Sequence, residues 1–110
     1  MTTLDELCGV LDGIGIAWTN TKWGRGDEVA APFIVLRKSG GTSYGANDMT
    51  WCSVAEYDIE LYTTHRDYAL ERTVTEALEV AGIYFIDGGV WPLDSEGLIE
   101  AVTTVTVREN

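Results

Sequence analysis

The densest group of residues that could do chemistry is a set of three carboxylates at alternate positions, Glu56, Asp58 and Glu60. On a β-strand such residues point to the same face, with roughly 7 Å between successive Cα atoms. That spacing could hold a divalent cation or set up an acid/base pair. However, no loop with calcium-site spacing accompanies the three carboxylates, and no His or Asn adjoins them. The pattern therefore favours a strand face that meets solvent or a partner.

The other reactive residue types do not complete a catalytic group. His65 is the only histidine and lies at a predicted strand-to-helix junction, a position typical of surface or capping residues. The serines lack a G-x-S-x-G setting, and no Gly-rich segment continues into GK[ST]. Cys8 and Cys52 form no C-x-x-C pair, so we expect free thiols in a reducing compartment. We expect no catalytic residue, no metal site and no cofactor.

The charge of the chain is strongly negative, with 18 Asp and Glu against 7 Lys and Arg and a formal net charge of −11. Residues 74–107 contain carboxylates and no Lys or Arg. Such a chain repels nucleic acid and anionic membranes as a whole. The acidity fits three uses: solubility, a surface to which DNA does not stick, or a surface that imitates DNA.

The sequence predicts no membrane partner and synthesis in the cytoplasm. No apolar run approaches the roughly 20 residues needed to cross a bilayer. Asp5 and Glu6 stand where a signal peptide would carry positive charge.

Two helices are predicted from capping residues and apolar spacing. Thr3 followed by Glu6 forms a capping-box pattern, and an apolar stripe continues from there to Gly13. Asp67 has the position of a second N-cap, and Gly82 is suited to end that helix.

The strands are predicted from alternation and β-branched content. Residues 50–63 alternate most clearly, and further strands are expected at 14–18, 33–36, 83–86 and 98–107. A tight turn is expected at residues 87–89 and a flexible Gly-rich loop at about 39–48. Together these elements predict one α+β domain over residues 1–110. Its mostly antiparallel sheet has about four to five strands, with two helices packed on one face.

Four tryptophans are many for a chain of this size, and two of them flank predicted loops. Tryptophan is enriched at protein interfaces. For Trp18 and Trp91, core and surface positions remain equally open. The residues expected at an interface with another subunit or partner are Trp23, Ser39, Gly40, Gly41, Tyr44 and Trp51.

The C-terminal two-thirds of the chain contains, in order, the segments PFIV (residues 32–35), YDIELYT (57–63), LEVAGIYF (78–85) and DSEGLIEAV (94–102). In this order the segments resemble the tail-completion, or tail-terminator, proteins of long-tailed bacteriophages. The first helix and the strand at 14–18 also fit in order and length. Residues 19–31 and 39–48 match nothing in that pattern.

The resemblance implies a structural virion protein that caps the tail tube and joins tail to head at the head–tail junction. It implies a homo-oligomeric ring, commonly a hexamer, with the tail-tube protein and a head-side connector or stopper protein as partners. Genomic DNA would pass through without specific binding. Glu56, Asp58 and Glu60 are the candidate acidic lining of that ring.

Two other functions remain open from the sequence. An acidic mimic of DNA would inhibit a DNA-binding host protein and would be a monomer or dimer. A small enzyme using the carboxylate strand would show metal-dependent activity that Glu56→Gln or Asp58→Asn abolishes.

Overall fold

A computed structural model describes residues 2–20, 30–46 and 49–109, with the backbone alone for residues 42–46 and 49–52. Within these ranges two helices and five strands follow one another in the order αβββαββ. Their bounds are α1 (Leu4–Ile14), β1 (Ala17–Asn20), β2 (Phe33–Ala46), β3 (Met49–Thr63), α2 (Tyr68–Val80), β4 (Phe85–Leu93) and β5 (Leu98–Arg108). The predicted α+β class is confirmed.

The strands form one sheet in the order β1-β2-β3-β5-β4. Every neighbouring pair is antiparallel except β1 and β2, which run parallel. Strands β1 and β4 are therefore the two edges of the sheet. Pro92 lies in edge strand β4, in agreement with the sequence, because proline cannot donate a ladder hydrogen bond.

Both helices begin at the predicted caps. The Thr3 hydroxyl accepts a hydrogen bond from the amide of Glu6 at 3.3 Å, and a carboxylate oxygen of Asp67 accepts one from the amide of Leu70 at 3.0 Å. These side chains satisfy amides that have no partner inside the helix. Helix α1 ends slightly later than expected, at Ile14, followed by Gly15 in the left-handed region.

The core lies between one face of the sheet and the two helices. Leu7 and Leu11 of α1 and Val74 and Leu78 of α2 are buried against that face. The sheet contributes alternate residues to the same cluster: Ile34, Leu36, Ala55, Tyr57, Ile59, Leu61, Val105 and Val107. The opposite face, which we call the open face, carries the other alternate residues of each strand and is covered by no described element.

Two predicted connections are strand in the structure. Residues 39–46, expected to be loop, belong to β2 and pair with β3, with register shifts between Lys38 and Gly40 and between Tyr44 and Gly45. Residues 87–89, expected to be a tight turn, form a bulge inside β4, and the chain reverses after Leu93 instead. In both places glycines accommodate irregular pairing, which the sequence pattern does not distinguish from a turn.

Candidate functional site: the open face of the sheet

The predicted carboxylate face of β3 lies on the open side of the sheet. Tyr57, Ile59 and Leu61 are buried under the helices, so Glu56, Asp58 and Glu60 point the opposite way. Glu56 is exposed and Asp58 is half-buried. Glu60 has only 8% of its surface exposed. The three side chains therefore lie on the same face of β3 but differ in how far they are exposed to solvent.

Glu60 is held by a cation from the neighbouring strand. The Arg37 Nε atom donates to both carboxylate oxygens of Glu60, at 3.2 and 3.3 Å. This hydrogen bond and the charge of Glu60 raise the pKa of Arg37 above its usual value. A nearly buried carboxylate needs such a partner, since an unpaired buried charge is costly. The negative charge of Glu60 is therefore neutralised locally.

The hydroxyl of Tyr62 lies between two carboxylates. It is 2.6 Å from Oε2 of Glu100 and 3.2 Å from Oε1 of Glu60. Burial, followed by the hydrogen bond to Glu100, raises the pKa of Tyr62 well above its ordinary value. The ring is fixed by stacking on Phe33, with 5.0 Å between centroids. Tyr62 thus remains a neutral hydrogen-bond donor.

The remaining acids of this face have separate contacts. The Thr104 hydroxyl donates to Asp58 at 2.8 Å, from the directly opposite position on β5. Among the described residues no group of three or more His, Cys, Asp and Glu is arranged to hold a metal ion. The geometry is that of a hydrogen-bonded polar surface in which each carboxylate except exposed Glu56 has a donor named above.

Other reactive side chains lie apart from this surface. His65 is exposed at the junction before α2, with its Nδ1 atom 3.3 Å from the Thr64 hydroxyl. Cys8 is a free thiol on α1. Burial, and then the nearby carboxylates of Asp5 and Asp12, raise the pKa of that thiol and keep it protonated.

A small apolar cavity of about 100 Å³ lies on the other side of the sheet, between α2 and strands β3, β5 and β4. Val74, Phe85 and Val90 line it, with Glu71 and Asp87 at its polar margin. Its size is that of a packing gap under the helix.

The predicted interface residues that the structure describes lie along or beyond one end of the sheet. Strand β3 begins to pair with β5 only at Val54, so residues 43–46 and 49–53 form a two-stranded ribbon past that point. We call these two segments the ribbon; the amide of Glu109 also donates to the carbonyl of Ser53 in it. Tyr44 and Trp51 belong to the ribbon.

The other interface candidates adjoin the ribbon or are not described. Ser39 is exposed, and its hydroxyl donates to the carbonyl of Glu56 at 3.2 Å. Gly41 is also exposed, whereas Gly40 is half-buried. Trp23 lies outside the described residues. That these residues form an interface stays a prediction.

The two tryptophans left open by the sequence have different surroundings. Trp18 packs against the core, and its indole nitrogen donates to Asp12 at 2.8 Å. Trp91 is 49% exposed on the open face, opposite Glu100 in the register of β4 and β5. Neighbouring Ile86 is 57% exposed.

The sequence pattern did not indicate that Arg37, Tyr62 and Glu100 join the carboxylates of the open face. Tyr62 continues the alternate spacing of Glu56, Asp58 and Glu60, so extending that pattern by one step would have included it. Arg37 and Glu100 come from other strands, and only the register brings them alongside.

Comparison with known proteins finds likeness to solved structures but none to a known family. No protein-family model matches the chain, and no curated protein does. A chain of a solved structure described as the virion of a native gene transfer agent (GTA) particle aligns with a TM-score of 0.48 and 13% sequence identity. The alignment covers 94% of this chain and 90% of that chain. A likeness of this size does not decide what the chain does.

Neither of the two described helices is long and apolar enough to cross a bilayer.

Proposed function

We propose that this chain is a structural protein of a bacteriophage virion that caps the tail tube and joins the tail to the head. The sequence resemblance to tail-terminator proteins names the role. The structural observation that carries the proposal is the ribbon, which extends β2 and β3 past the strands that flank them. The copies assemble as a ring, hexameric as is common in the proteins that the chain resembles.

The ribbon supports assembly because a two-stranded hairpin is marginally stable in water when nothing packs on it. Residues 39–55 contain one charged side chain, that of Asp48, in a chain with a net charge of −11. Copies of so acidic a protein repel one another, and segments with few charges are where they can approach at least cost. The ribbon therefore suits contact with a neighbouring copy or with the tail-tube or head-side protein.

The open face supports a lining that DNA does not bind. Glu56 and Asp58 present negative charge there, and Glu60 adds little because Arg37 neutralises it. A lining of this kind repels phosphates, so that the genome passes without specific binding. Of the three predicted lining residues, Glu56 and Asp58 are thus the two that would present negative charge to the DNA.

Two measurements test this function. Native mass spectrometry at increasing protein concentration, with negative-stain microscopy, should show a ring with a central opening. Gold-labelled antibody on virions of the encoding phage should mark the head–tail junction. Particles that carry no label would show that the chain is not a virion protein.

The strong acidity also fits a second function, that of an acidic mimic of DNA, and the same measurements can detect it. A DNA mimic would remain a monomer or dimer and would bind a basic DNA-acting host protein, in competition with DNA. Finding that competition together with unlabelled virions would replace the ring proposal by the mimic.

A further inference from the structure

A tryptophan and a carboxylate lie side by side on the open face, at the β4 edge of the sheet. Trp91 of β4 is directly opposite Glu100 of β5, and such opposite residues have their Cβ atoms about 5 Å apart. Trp91 is 49% exposed and Glu100 is half-buried. We call these two residues, together with Val102, the next residue of β5 on this face, the edge site. An aromatic ring and a negative charge are thus presented together.

The Gly88–Gly89 bulge fixes the position of the Trp91 ring. A Cβ atom on Gly89 would lie 2.9 Å from Cη2 and 3.2 Å from Cζ2 of Trp91, so the indole lies against the Gly89 backbone. Gly89 also has a φ of +102°, which other residues rarely adopt. Bulges commonly redirect a side chain in this way. One side of the ring therefore contacts the backbone, and the exposed remainder is left for a ligand.

Glu100 carries a negative charge that no described cation balances. Its Oε2 atom accepts a hydrogen bond from the Tyr62 hydroxyl at 2.6 Å, which is a neutral donor. Glu60, on the neighbouring strand, has the guanidinium of Arg37, but no ion pair among the described residues includes Glu100. A carboxylate has several acceptor sites, so one hydroxyl does not saturate it. Glu100 is thus held in place and can still accept from a cationic donor.

We propose that the edge site binds an arginine side chain of a basic partner protein, with the guanidinium stacked on Trp91 and paired with Glu100. A guanidinium both stacks on aromatic faces and donates to carboxylates, which a lysine ammonium does less well. Tryptophan is the aromatic residue that attracts cations most strongly. The apolar stem of the arginine would lie against Val102, as the stems of long cationic side chains commonly do on apolar surfaces.

The charge of the chain favours a basic partner over a second copy. Two copies with a net charge of −11 each repel one another, whereas a basic protein is attracted. Residues 74–107, which include the edge site, contain carboxylates and no Lys or Arg. Pro92 and the bulge interrupt the hydrogen-bonding edge of β4, so the contact is made through side chains rather than by adding a strand.

The edge site is separate from the exposed end of the predicted lining. Glu100 is paired with Tyr62, and Glu56 lies six residues earlier on β3, which is about 20 Å along the strand. A partner that contacts the edge site therefore leaves Glu56 uncovered. The inference goes beyond the proposed function, because it concerns this surface whether or not the copies form a ring.

NMR spectroscopy of the ¹⁵N-labelled full chain tests the assignment. The probe is a blocked glycine peptide with one central arginine. It should shift the indole N–H signal of Trp91, which is identified by its absence from the Trp91→Leu spectrum. Replacing the arginine by citrulline, which has the same shape but no charge, should weaken binding about fivefold. No shift at Trp91, or equal binding of the two peptides, overturns the proposal.

Two substitutions with matched controls locate the binding, which is followed at the backbone amides of β5. Glu100→Gln should weaken it about fivefold, whereas Glu96→Gln removes the same charge from an exposed turn and should not. Trp91→Leu should weaken it by a similar factor, whereas Tyr84→Leu removes an aromatic side chain that is 80% exposed outside the edge site and should not. Equal weakening by the two Glu→Gln substitutions would assign the binding to net charge and overturn the proposal.

The remaining amide signals show whether each variant keeps its fold. The citrulline comparison uses the unchanged protein, so it decides the matter if a variant does not fold.

Sedimentation velocity without peptide tests the other occupant, a second copy. Equal self-association of Trp91→Leu and Tyr84→Leu supports a different protein as the partner. Weaker self-association of Trp91→Leu alone would show that a second copy occupies the edge site, and the assignment to a basic partner would be wrong. The labelling of virions is independent of these results, so the proposed function can fail or survive separately.

Discussion

The Tyr62 hydroxyl donates a hydrogen bond to Glu100 across 2.6 Å, linking strands β3 and β5 on the open face. The same oxygen lies 3.2 Å from Glu60. Since a phenol carries one proton, it can donate to only one carboxylate at a time. Because the distance to Glu100 is the shorter one, the Tyr62 hydroxyl donates its hydrogen bond to Glu100. Arg37 supplies the donor that Glu60 needs. On the open face, the Tyr62 hydroxyl thus holds Glu100 and the Arg37 guanidinium holds Glu60.

Replacing Tyr62 by Phe should destabilise the fold while retaining the ring and its stacking on Phe33. Glu100 loses its short hydrogen bond, and bonds to charged groups contribute more than neutral ones, so the expected loss is about 1–2 kcal/mol. Urea unfolding of both proteins measures the difference. Tyr84→Phe changes an exposed tyrosine as a control and should have almost no effect. A Tyr62→Phe protein as stable as the unchanged one would show that the hydroxyl contributes nothing net.

The pH dependence of stability should report Tyr62 under alkaline conditions. Its folded pKa is raised, so the stabilising contribution is fully present below the unfolded pKa of about 10 and is lost as the pH rises through the folded value. Above about pH 10 the unfolded chain releases this proton first, which favours unfolding. The difference in unfolding free energy between the unchanged protein and Tyr62→Phe should therefore shrink from pH 8 to about pH 11. A difference that stays constant over this range would contradict the raised pKa.

Removing Arg37 should leave Glu60 nearly buried without its cation. The Glu60 side chain is 11% exposed, whereas that of Arg37 is 47% exposed, so solvent screens part of the loss. Arg37→Met should cost about 1–2 kcal/mol, below the range for a fully buried pair. The double variant Arg37→Met, Glu60→Met removes both charges and should recover part of the stability. If the double variant is less stable than Arg37→Met alone, the unpaired charge is not the cause.

Local signals in the sequence predicted much of the fold. Thr3 and Asp67 cap their helices because cap preference depends on a hydrogen bond within a few residues. The alternation from Glu56 to Leu61 predicted which side of β3 is buried. These features involve neighbours in the chain, so the residue order contains enough information to recognise them.

Features that depend on strand pairing could not be predicted in the same way. Gly40, Gly41 and Gly45 suggested a loop, but pairing with β3 makes their segment strand. Gly88 and Gly89 suggested a turn, but the chain continues along β5 through a bulge. The contacts of Glu60 with Arg37, and of Tyr62 with Glu100, follow from a register between separate strands. The register is set by two strands that lie far apart in the sequence, so neither strand alone predicts it.

The last described residue, Glu109, should contribute stability that depends on pH under acidic conditions. It accepts hydrogen bonds from Lys38 Nζ at 3.0 Å and from the Tyr57 hydroxyl at 3.1 Å, joining the end of the chain to β2 and β3. The bond from Lys38, followed by that from Tyr57, lowers the pKa of Glu109. The contribution is therefore present above the ordinary value of 4.5 and is lost as the pH falls through the folded pKa.

Glu109→Gln tests this contribution, because the amide keeps the size of the side chain but carries no charge. Near neutral pH the variant should unfold at a slightly lower temperature than the unchanged protein, a small difference because the pair is exposed. That difference should narrow as the pH falls below about 4.5, where the unfolded carboxylate takes up a proton first. Glu96→Gln, in the turn between β4 and β5, is the matched control for removing one negative charge. An equal narrowing in both variants would assign the effect to net charge rather than to the contacts of Glu109.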